Sequence, residues 1–259
     1  MVHVSNATRV PFQVLATLLL VCSSCSGFLD RNPLTTLSPS NFWKTEEDLR
    51  LALNILYDKM NISYTVDTRS IDAFGASANA ISSGTYTPPN ADATWTNCYQ
   101  WIRIANDFLE NYQNAEVTEA VKNRYAGEAR FFRAYYYYQL VTRFGDVPLI
   151  TSTLDLDSPE LGYAREEKSK IWKLVFDDLQ FAATHLPVRS KIGNDLGRIT
   201  QGAAYAFWGR AALYAGTHYK FHANNGGAEY LQMAKTAAKA VMDSKEYELY
   251  SDYRNLFLA

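Results

Sequence analysis

The chain has 259 residues, 47% of them hydrophobic and 20% charged, which is the composition of a folded globular protein with one or two ordinary cores. Its formal net charge is −2, and acidic and basic residues are interspersed along it. This balance argues against a nucleic-acid partner, and the 18 Tyr and 5 Trp show only that large amphipathic side chains are abundant.

The N-terminal residues 1–24 have the pattern of a signal peptide. Arg9 precedes an apolar run, residues 10–21, that is too short to span a bilayer as a helix. Two small serines follow, as before a lipoprotein cleavage point, and Cys25 comes directly after them. We interpret Cys25 as the lipidated N-terminus of the mature protein; the alternative is an ordinary secretory signal in which this cysteine is incidental.

Residues 25–40 are then the lipid anchor and a tether rich in Pro, Ser and Thr, and residues 41–259 are the predicted helical domain. Cleavage removes Cys22 and acylation uses Cys25, so Cys98 is left alone and no intramolecular disulfide is available. We expect Cys98 to be a small buried hydrophobe rather than a nucleophile. The stability of the domain must therefore come from helix packing.

The first predicted helix covers residues 45–60. Thr45 can cap it, three acidic residues follow at the positive end of the helix dipole, and the apolar residues at helical steps are Leu49, Leu53, Leu56 and Met60. Residues 61–94 then show no sustained period and are rich in Ser, Thr, Asn, Asp, Gly and Pro. A long aperiodic loop is usually either functional or disordered, and the aromatic residues scattered through this one argue against disorder.

Residues 97–114 form the next predicted helix, and a longer helix follows in the stretch 126–149. The longer helix has one apolar face made of Val121, Tyr125, Ala129, Phe132, Tyr136, Leu140 and Phe144, and an opposite one made of Phe131, Tyr135, Tyr138 and Val141. Two such faces predict a helix packed between neighbours rather than laid on a surface. Gly145 offers a helix-ending residue, and Pro148 blocks continuation.

Three more helices are predicted: one from 163 or 165 to 186, one from 200 to about 215, and one over 228–245. The aromatic segments that begin at Ala134 and Ala204 align at an offset of 70 residues, and each precedes a loop and a second amphipathic helix. This is the helix–turn–helix arrangement of a tetratricopeptide array, with loops expanded beyond the usual ~34-residue unit. No sustained strand is found, so the predicted class is all-α: a tetratricopeptide-like helix-pair scaffold with long irregular loops.

Candidates for a reactive centre are weak in this sequence. Asp177 and Asp178 are adjacent on a helix and point in different directions, so we expect them to be solvated helix charges. His218 and His222 have the spacing of two metal ligands on one helix face, but no third ligand is evident. There is no P-loop, dinucleotide fingerprint or nucleophile elbow. We therefore predict a protein that is not an enzyme and that has no catalytic residue, metal or cofactor.

Several segments of the chain form a distinctive set. The longest is R-x-x-R-A-Y-Y-Y-Y-x-L-V-x-R-F-G-D-V-P-L, residues 130–149. The others, in chain order, are FLDRNPLTTLSPSNFWKTEEDL, CYQWIRIAND, IWKLVFDDLQFAATHLP and GRITQGAAYAFWGRAALYAG. Together they resemble the SusD/RagB family of cell-surface nutrient-binding lipoproteins. The resemblance spans nearly the whole mature chain, but family members are about twice as long, so the C-terminal half of the family pattern is missing here.

The resemblance implies an outer-membrane lipoprotein, held by an N-terminal lipid such as palmitate and exposed at the cell surface. It implies that the protein binds an oligosaccharide nutrient and delivers it to a TonB-dependent, SusC-like transporter without cleaving it. It also favours lipidation at Cys25, because SusD-like proteins begin with such a cysteine just before an FLD-type sequence. Two alternatives stay open: a SusD-like peptide-binding lipoprotein, and a tetratricopeptide-type interaction scaffold without a small-molecule ligand.

A site for sugars needs exposed aromatic platforms and planar polar groups, because sugars present apolar C–H faces and rings of hydroxyls. Both residue types occur in residues 61–96, and SusD-like glycan receptors also draw ligand contacts from the corresponding region. The candidate ligand-binding residues are Arg69, Asp72, Asn79, Tyr86 and Trp95, with Asn90 as a further polar group. Trp95 has an alternative role as a core residue at the start of the next helix.

Overall fold

A computed structural model of the protein describes residues 42–60, 75–223 and 226–258. Its α-helices are α1 Glu46–Lys59, α2 Ala93–Asn111, α3 Glu119–Phe144, α4 Lys168–His185, α5 Gln201–His222 and α6 Ala228–Ser244. Within these ranges there is no β-strand, and one isolated antiparallel bridge joins Val147 to Glu166. The predicted all-α class is confirmed.

The described helices all belong to one unit of the chain, residues 43–259. The predicted signal peptide and tether, and with them Cys25, lie outside the described residues, as do Arg69 and Asp72. None of the helices that the structure describes is long and apolar enough to cross a membrane.

Polar side chains cap several of the helices at their first turn. In α1 the Thr45 hydroxyl accepts the N–H of Asp48 at 3.2 Å, and the Asp48 carboxylate accepts the N–H of Thr45 at 2.8 Å. Thr118 and Thr200 cap α3 and α5 through their hydroxyl oxygens. Each cap pairs a backbone donor that the first helical turn leaves without a partner, so the polar residues before the apolar runs set where these helices begin.

The helices pack in chain order, α2 on α3, α3 on α4, α4 on α5 and α5 on α6, and α1 packs on α2 and α3. Helices α5 and α6 run antiparallel, because Gly209 lies beside Ala234 while Gly216 lies beside Leu231. A Cβ atom on Gly216 would come within 2.8 Å of the Leu231 side chain, so glycine permits this close approach. Stacked helix pairs of this kind agree with the predicted tetratricopeptide-like scaffold.

Helix α3 is buried along both of its predicted apolar faces. On one side Phe132 packs edge-on against Tyr57 of α1, with ring centroids 4.7 Å apart. On the other side the ring centroid of Phe131 lies 5.5 Å from that of Phe207 of α5. Full burial of one such side chain contributes about 1.5–3 kcal/mol, so the aromatic residues of α3 form the centre of the core.

Helices α4 and α5 are two of those whose boundaries differ from the predicted ones, and each difference has a physical reason. Helix α4 begins at Lys168, later than predicted, because the N–H of Glu166 donates to the carbonyl of Val147 at 3.0 Å and keeps the preceding chain extended. Helix α5 continues to His222 instead of ending near 215. Gly216 does not end α5; it lies inside that helix, at the point where α5 packs closely against Leu231 of α6.

The expectation that Asp178 is a solvated helix charge is wrong. Its side chain is fully buried, and its carboxylate accepts two hydrogen bonds from Arg133, at 2.7 and 2.9 Å, and one from Arg130 at 3.0 Å. The neighbouring Asp177 pairs with Lys173 at the surface, as expected of a solvated charge. The local sequence pattern could not identify the partners of Asp178, because they lie 45 and 48 residues away on α3.

A second buried carboxylate, that of Glu128 on α3, joins three parts of the chain. It accepts hydrogen bonds from Arg198 at 2.7 Å and from the Tyr57 hydroxyl of α1 at 2.8 Å. Arg198 also donates to Asn54 of α1 at 2.9 Å. Burial raises the pKa of Glu128, and the Arg198 guanidinium opposes that effect. The cluster therefore ties α1 and α3 to the residues that precede α5.

Replacement of Arg198 by Met should leave the Glu128 carboxylate buried without its guanidinium. We expect the free energy of unfolding to fall by about 3–5 kcal/mol at pH 7, measured by denaturant titration with circular dichroism. In the variant, the pKa of Glu128 would rise further above its unfolded value. The folded state would then bind a proton more readily than the unfolded state, so the loss should shrink as pH falls towards 5.

The control for this variant is Lys239→Met, which breaks an exposed ion pair with Asp243. Such surface pairs contribute about 0–1 kcal/mol, so this change should have little effect. Equal losses in the Arg198 and Lys239 variants would contradict the assigned role of the buried cluster.

Candidate functional site

An open groove runs beside the N-terminal half of α2 and encloses a cavity of about 630 Å³. Its walls are α2, the extended segment 148–154, which we call the strap, and the segment around the 3₁₀ turn Pro159–Gly162. We call it the Trp95 groove, and the lining residues that matter most are Trp95, Tyr99, Arg103, Ile150, Glu160 and Tyr163.

One wall of the groove is a single face of α2. Trp95, Tyr99 and Arg103 follow one another at four-residue steps, which places them on the same side of the helix. The Tyr99 hydroxyl donates to the carbonyl of Pro148 at 2.7 Å, and burial raises the pKa of Tyr99. Arg103 is exposed near Asp107, and within the described ranges it forms no hydrogen bond or salt bridge. Its guanidinium donors are therefore open to a ligand.

The opposite wall is the strap, whose alternate residues Pro148, Ile150, Ser152 and Leu154 line the groove. This period of two is that of an extended chain. The Tyr137 hydroxyl of α3 donates to the carbonyl of Ile150 at 2.8 Å and accepts its N–H at 2.7 Å. The Glu110 carboxylate of α2 accepts the N–H and the hydroxyl of Thr153 at 2.7 and 2.5 Å. Side chains of two helices therefore hold the strap.

Trp95 is half-buried and borders both this groove and a second cavity of about 410 Å³. Its ring centroid lies 5.2 Å from that of Tyr99 and 5.2 Å from that of Phe144, which it meets edge-on. The guanidinium carbon of Arg165 lies 5.2 Å from the indole centroid, and this guanidinium donates to the carbonyl of Asp146 at 3.0 Å. These contacts orient the indole without a ligand.

The position of Trp95 depends on the cap of α2. The Asp92 carboxylate accepts the N–H of Thr94 at 2.8 Å and a hydrogen bond from Arg143, in the last turn of α3, at 2.6 Å. These bonds, Thr94 first, lower the pKa of Asp92. The cap makes α2 begin at Ala93 rather than at 97, so Trp95 lies in the first turn of the helix instead of in the loop.

The structure brings Trp95 together with Asn90, which lines the second cavity. Tyr86 is 48% exposed and lies outside both cavities. The side-chain oxygen of Asn79 accepts the N–H of Ile81 at 2.9 Å within a local turn. The sequence predicts Trp95 either as a ligand platform or as a core residue. Its ring packs on other aromatic rings, as a core residue would, and it also borders the two cavities, as a platform would. The role of these residues in binding a ligand stays a prediction.

Sequence reasoning did not identify the part of the groove that follows α3. Tyr163 is 52% exposed and faces the same cavity as Glu160 and Trp95. Residues 150–166 carry the signal that singled out residues 61–96, an aperiodic stretch with Pro, Asp, Gly and a tyrosine. The same criterion applied to this second loop would have found it.

The groove offers surfaces for binding, and the cysteine of α2 is not an activated nucleophile. Cys98 is buried as expected, and burial raises the pKa of its thiol to about 12, which keeps it protonated and inert. In the ranges that the structure describes, no group of three or more His, Cys, Asp or Glu side chains could hold a metal ion. What the groove presents is two aromatic rings on α2, a third at Tyr163, and the charged groups of Arg103 and Glu160.

Comparison with known proteins gives a family for this fold. Residues 28–213, well over half of the chain, match the model of the SusD-like proteins, described as starch-binding and as associating with the outer membrane. The chain belongs to the SusD-like family. That description is one of binding rather than catalysis, and it makes glycan binding and association with the outer membrane properties of the family.

Three relatives illustrate the similarity. A SusD-like protein of Bacteroides ovatus is 29% identical over an alignment that covers 94% of this chain and 46% of that protein. A solved SusD-like carbohydrate-binding protein from Bacteroides fragilis has a TM-score of 0.68 at 25% identity, covering 83% of this chain and 44% of the other. A laminarin-binding SusD-like protein has a TM-score of 0.64 at 25% identity, covering 83% and 48%. The SusD-like chain thus spans about half the length of these relatives.

The Asp92 cap that positions Trp95 should be lost at acidic pH, when the Asp92 carboxylate is protonated. Because the pKa of Asp92 is lowered from the ordinary value of 3.8, its carboxylate holds the cap above that pH and loses it as pH falls through the folded-state pKa. We expect the Thr94 amide resonance to titrate with a midpoint below 3.8 in NMR spectra. Asp92→Asn keeps an acceptor without the charge and should abolish this titration. A midpoint at or above 3.8 in the unmodified chain would argue against the pairing with Arg143.

Proposed function

We propose that this SusD-like chain binds an oligosaccharide in the Trp95 groove. The observation that carries the proposal is the combination, in one open groove, of aromatic rings at Trp95, Tyr99 and Tyr163 with the charged side chains of Arg103 and Glu160. Aromatic faces match the apolar C–H faces of a sugar ring, and guanidinium and carboxylate groups match its hydroxyls. The groove's volume is also in the range of ordinary ligand sites, about 300–1,000 Å³.

The family supports the same ligand class. Its description is starch-binding, one similar structure is of a carbohydrate-binding protein, and another is of a laminarin-binding protein. Because the groove is open, a ligand longer than its footprint could extend beyond it. We infer that the ligand is a segment of a polysaccharide or an oligosaccharide rather than a single small sugar.

Delivery is the second part of the proposal. The bound oligosaccharide would pass to a TonB-dependent, SusC-like transporter in the outer membrane, and the chain would be held at that membrane by a lipid on Cys25. The family's association with the outer membrane and the signal-peptide pattern before Cys25 support this arrangement. Lipid attachment at the surface would keep the groove beside the transporter and raise the local concentration of captured ligand.

The glycan proposal is tested by calorimetric titration of the purified chain with starch and laminarin oligosaccharides and with short peptides. We expect saturable binding of at least one glycan class. Trp95→Ala and Tyr163→Ala should each weaken it by about tenfold or more, equivalent to about 1.4 kcal/mol, because each removes an aromatic face from the groove. Tyr86→Ala tests whether the exposed loop tyrosine takes part.

The matched control is Tyr253→Ala, which removes an exposed tyrosine from outside the groove and should leave affinity unchanged. Binding of peptides alone would favour the peptide-binding alternative. Absence of saturable binding by a chain with native helicity would favour the scaffold alternative and overturn the glycan proposal.

The anchor is tested by labelling bacteria that express the chain with radioactive palmitate. Cys25→Ala should abolish labelling and move the protein from the membrane fraction to the soluble fraction, because acylation of this residue is its proposed attachment. Cys22→Ala, three residues earlier, should leave both properties unchanged. Labelling that survives loss of Cys25 would contradict the assignment.

A further inference from the structure

Asn106 of α2 occupies an unusual place between the core and the groove. It is fully buried, and its side-chain oxygen accepts a hydrogen bond from Arg133 of α3 at 3.0 Å. Its side-chain nitrogen donates to the carbonyls of two strap residues, Ile150 at 3.2 Å and Ser152 at 3.1 Å. One carboxamide therefore connects the buried Arg133–Asp178 ion pair with the wall of the Trp95 groove.

We propose that Asn106 is a positioning residue for the Trp95 groove, setting the distance between the strap and the aromatic face of α2. This inference rests on the proposed function, since it concerns the site assigned there to a glycan. It names a residue that does not line the groove and that would act on the ligand only through the strap.

The chemistry at position 106 requires a carboxamide. Arg133 offers only donors, so an acceptor must face it, whereas the strap offers carbonyl oxygens, so a donor must face them. Asparagine supplies both ends on one short side chain. An aspartate of the same shape would keep the bond to Arg133 but would turn a carboxylate oxygen towards two carbonyl oxygens, which repel it.

Other side chains also hold the strap, but they bind it at residues other than Ser152. Tyr137 holds Ile150 and Glu110 holds Thr153, but the carbonyl of Ser152 has no other hydrogen bond within the residues that the structure describes. Loss of the carboxamide would therefore free the centre of the strap and leave the two flanking attachments alone to hold it, so those attachments should open more often. The expected result is a locally loosened wall in an otherwise native helical scaffold.

The variant that separates these effects is Asn106→Asp, with Asn106→Ala as a second substitution that introduces no charge. The matched control is Gln201→Glu, which exchanges a carboxamide for a carboxylate where the amide nitrogen donates to the carbonyl of Ala183 at 2.9 Å, outside the groove. All three changes remove amide-to-carbonyl hydrogen bonds, two at the fully buried Asn106 and one at the half-buried Gln201, so the changes at 106 should lower overall stability more. Only the changes at 106 should alter the strap.

The first measurement is amide hydrogen exchange on the whole chain. In the unmodified protein the amides of Ile150 and Thr153 should be protected nearly as well as those of α2, because both donate to side chains of the helices. In Asn106→Asp and Asn106→Ala the strap should exchange at least about tenfold faster while α2 and α3 keep their protection. Gln201→Glu should leave the strap unchanged relative to the helices.

The second measurement is calorimetric titration with the starch and laminarin oligosaccharides. Asn106→Asp and Asn106→Ala should weaken binding about fivefold or more, with native circular dichroism, whereas Gln201→Glu should not. Absence of any glycan binding would refute the proposed function, while the exchange experiment would still decide the role of Asn106.

Two results would overturn the inference. One is a strap that exchanges much faster than α2 already in the unmodified chain, because it would not then be held. The other is exchange that rises evenly across the chain in the variants at 106, with unchanged glycan affinity, because Asn106 would then contribute only to overall stability.

Discussion

Helix α3 is enclosed by other helices, and this requires a partner inside the protein for each charged group on its buried faces. Glu128 and Arg133 both lie in the interior, where an unpaired charge would be strongly destabilising. Their partners come from elsewhere in the chain: Asp178 from α4, and Arg198 from the segment before α5. Each pair therefore joins α3 to one neighbouring part of the chain, Arg133 to α4 and Glu128 to the segment before α5.

The same requirement extends from the core to the groove at two points. In the interior, the Arg133 guanidinium donates a hydrogen bond to the side-chain oxygen of Asn106. The side-chain nitrogen of Asn106 in turn donates to two carbonyl groups of the strap. At the surface, Arg143 in the last turn of α3 pairs with Asp92, the cap of α2. Two walls of the groove, the face of α2 and the strap, are thus attached to α3, which explains how a site made largely from loop segments can have a defined shape.

The helices could be predicted from the sequence because helical periodicity is a local property. Residues only a few positions apart define the two apolar faces of α3, the Thr45 cap of α1 and the buried face of α1. The burial of Asp178 and the continuation of α5 through Gly216 depend on partners far along the chain, and no local pattern carries that information.

The groove was predictable only in part, for the same reason. Composition indicated the region of Trp95, but the path of the strap depends on hydrogen bonds from two helices that precede it. Tyr163, in the segment that follows the strap, lines the same groove and carries no local signal of that position. A receptor of the kind proposed has to capture its ligand and also release it, and these walls suit both steps. Contacts made without a ligand already orient Trp95, so little side-chain freedom is lost on binding, whereas the open groove leaves part of a ligand in water and favours fast dissociation.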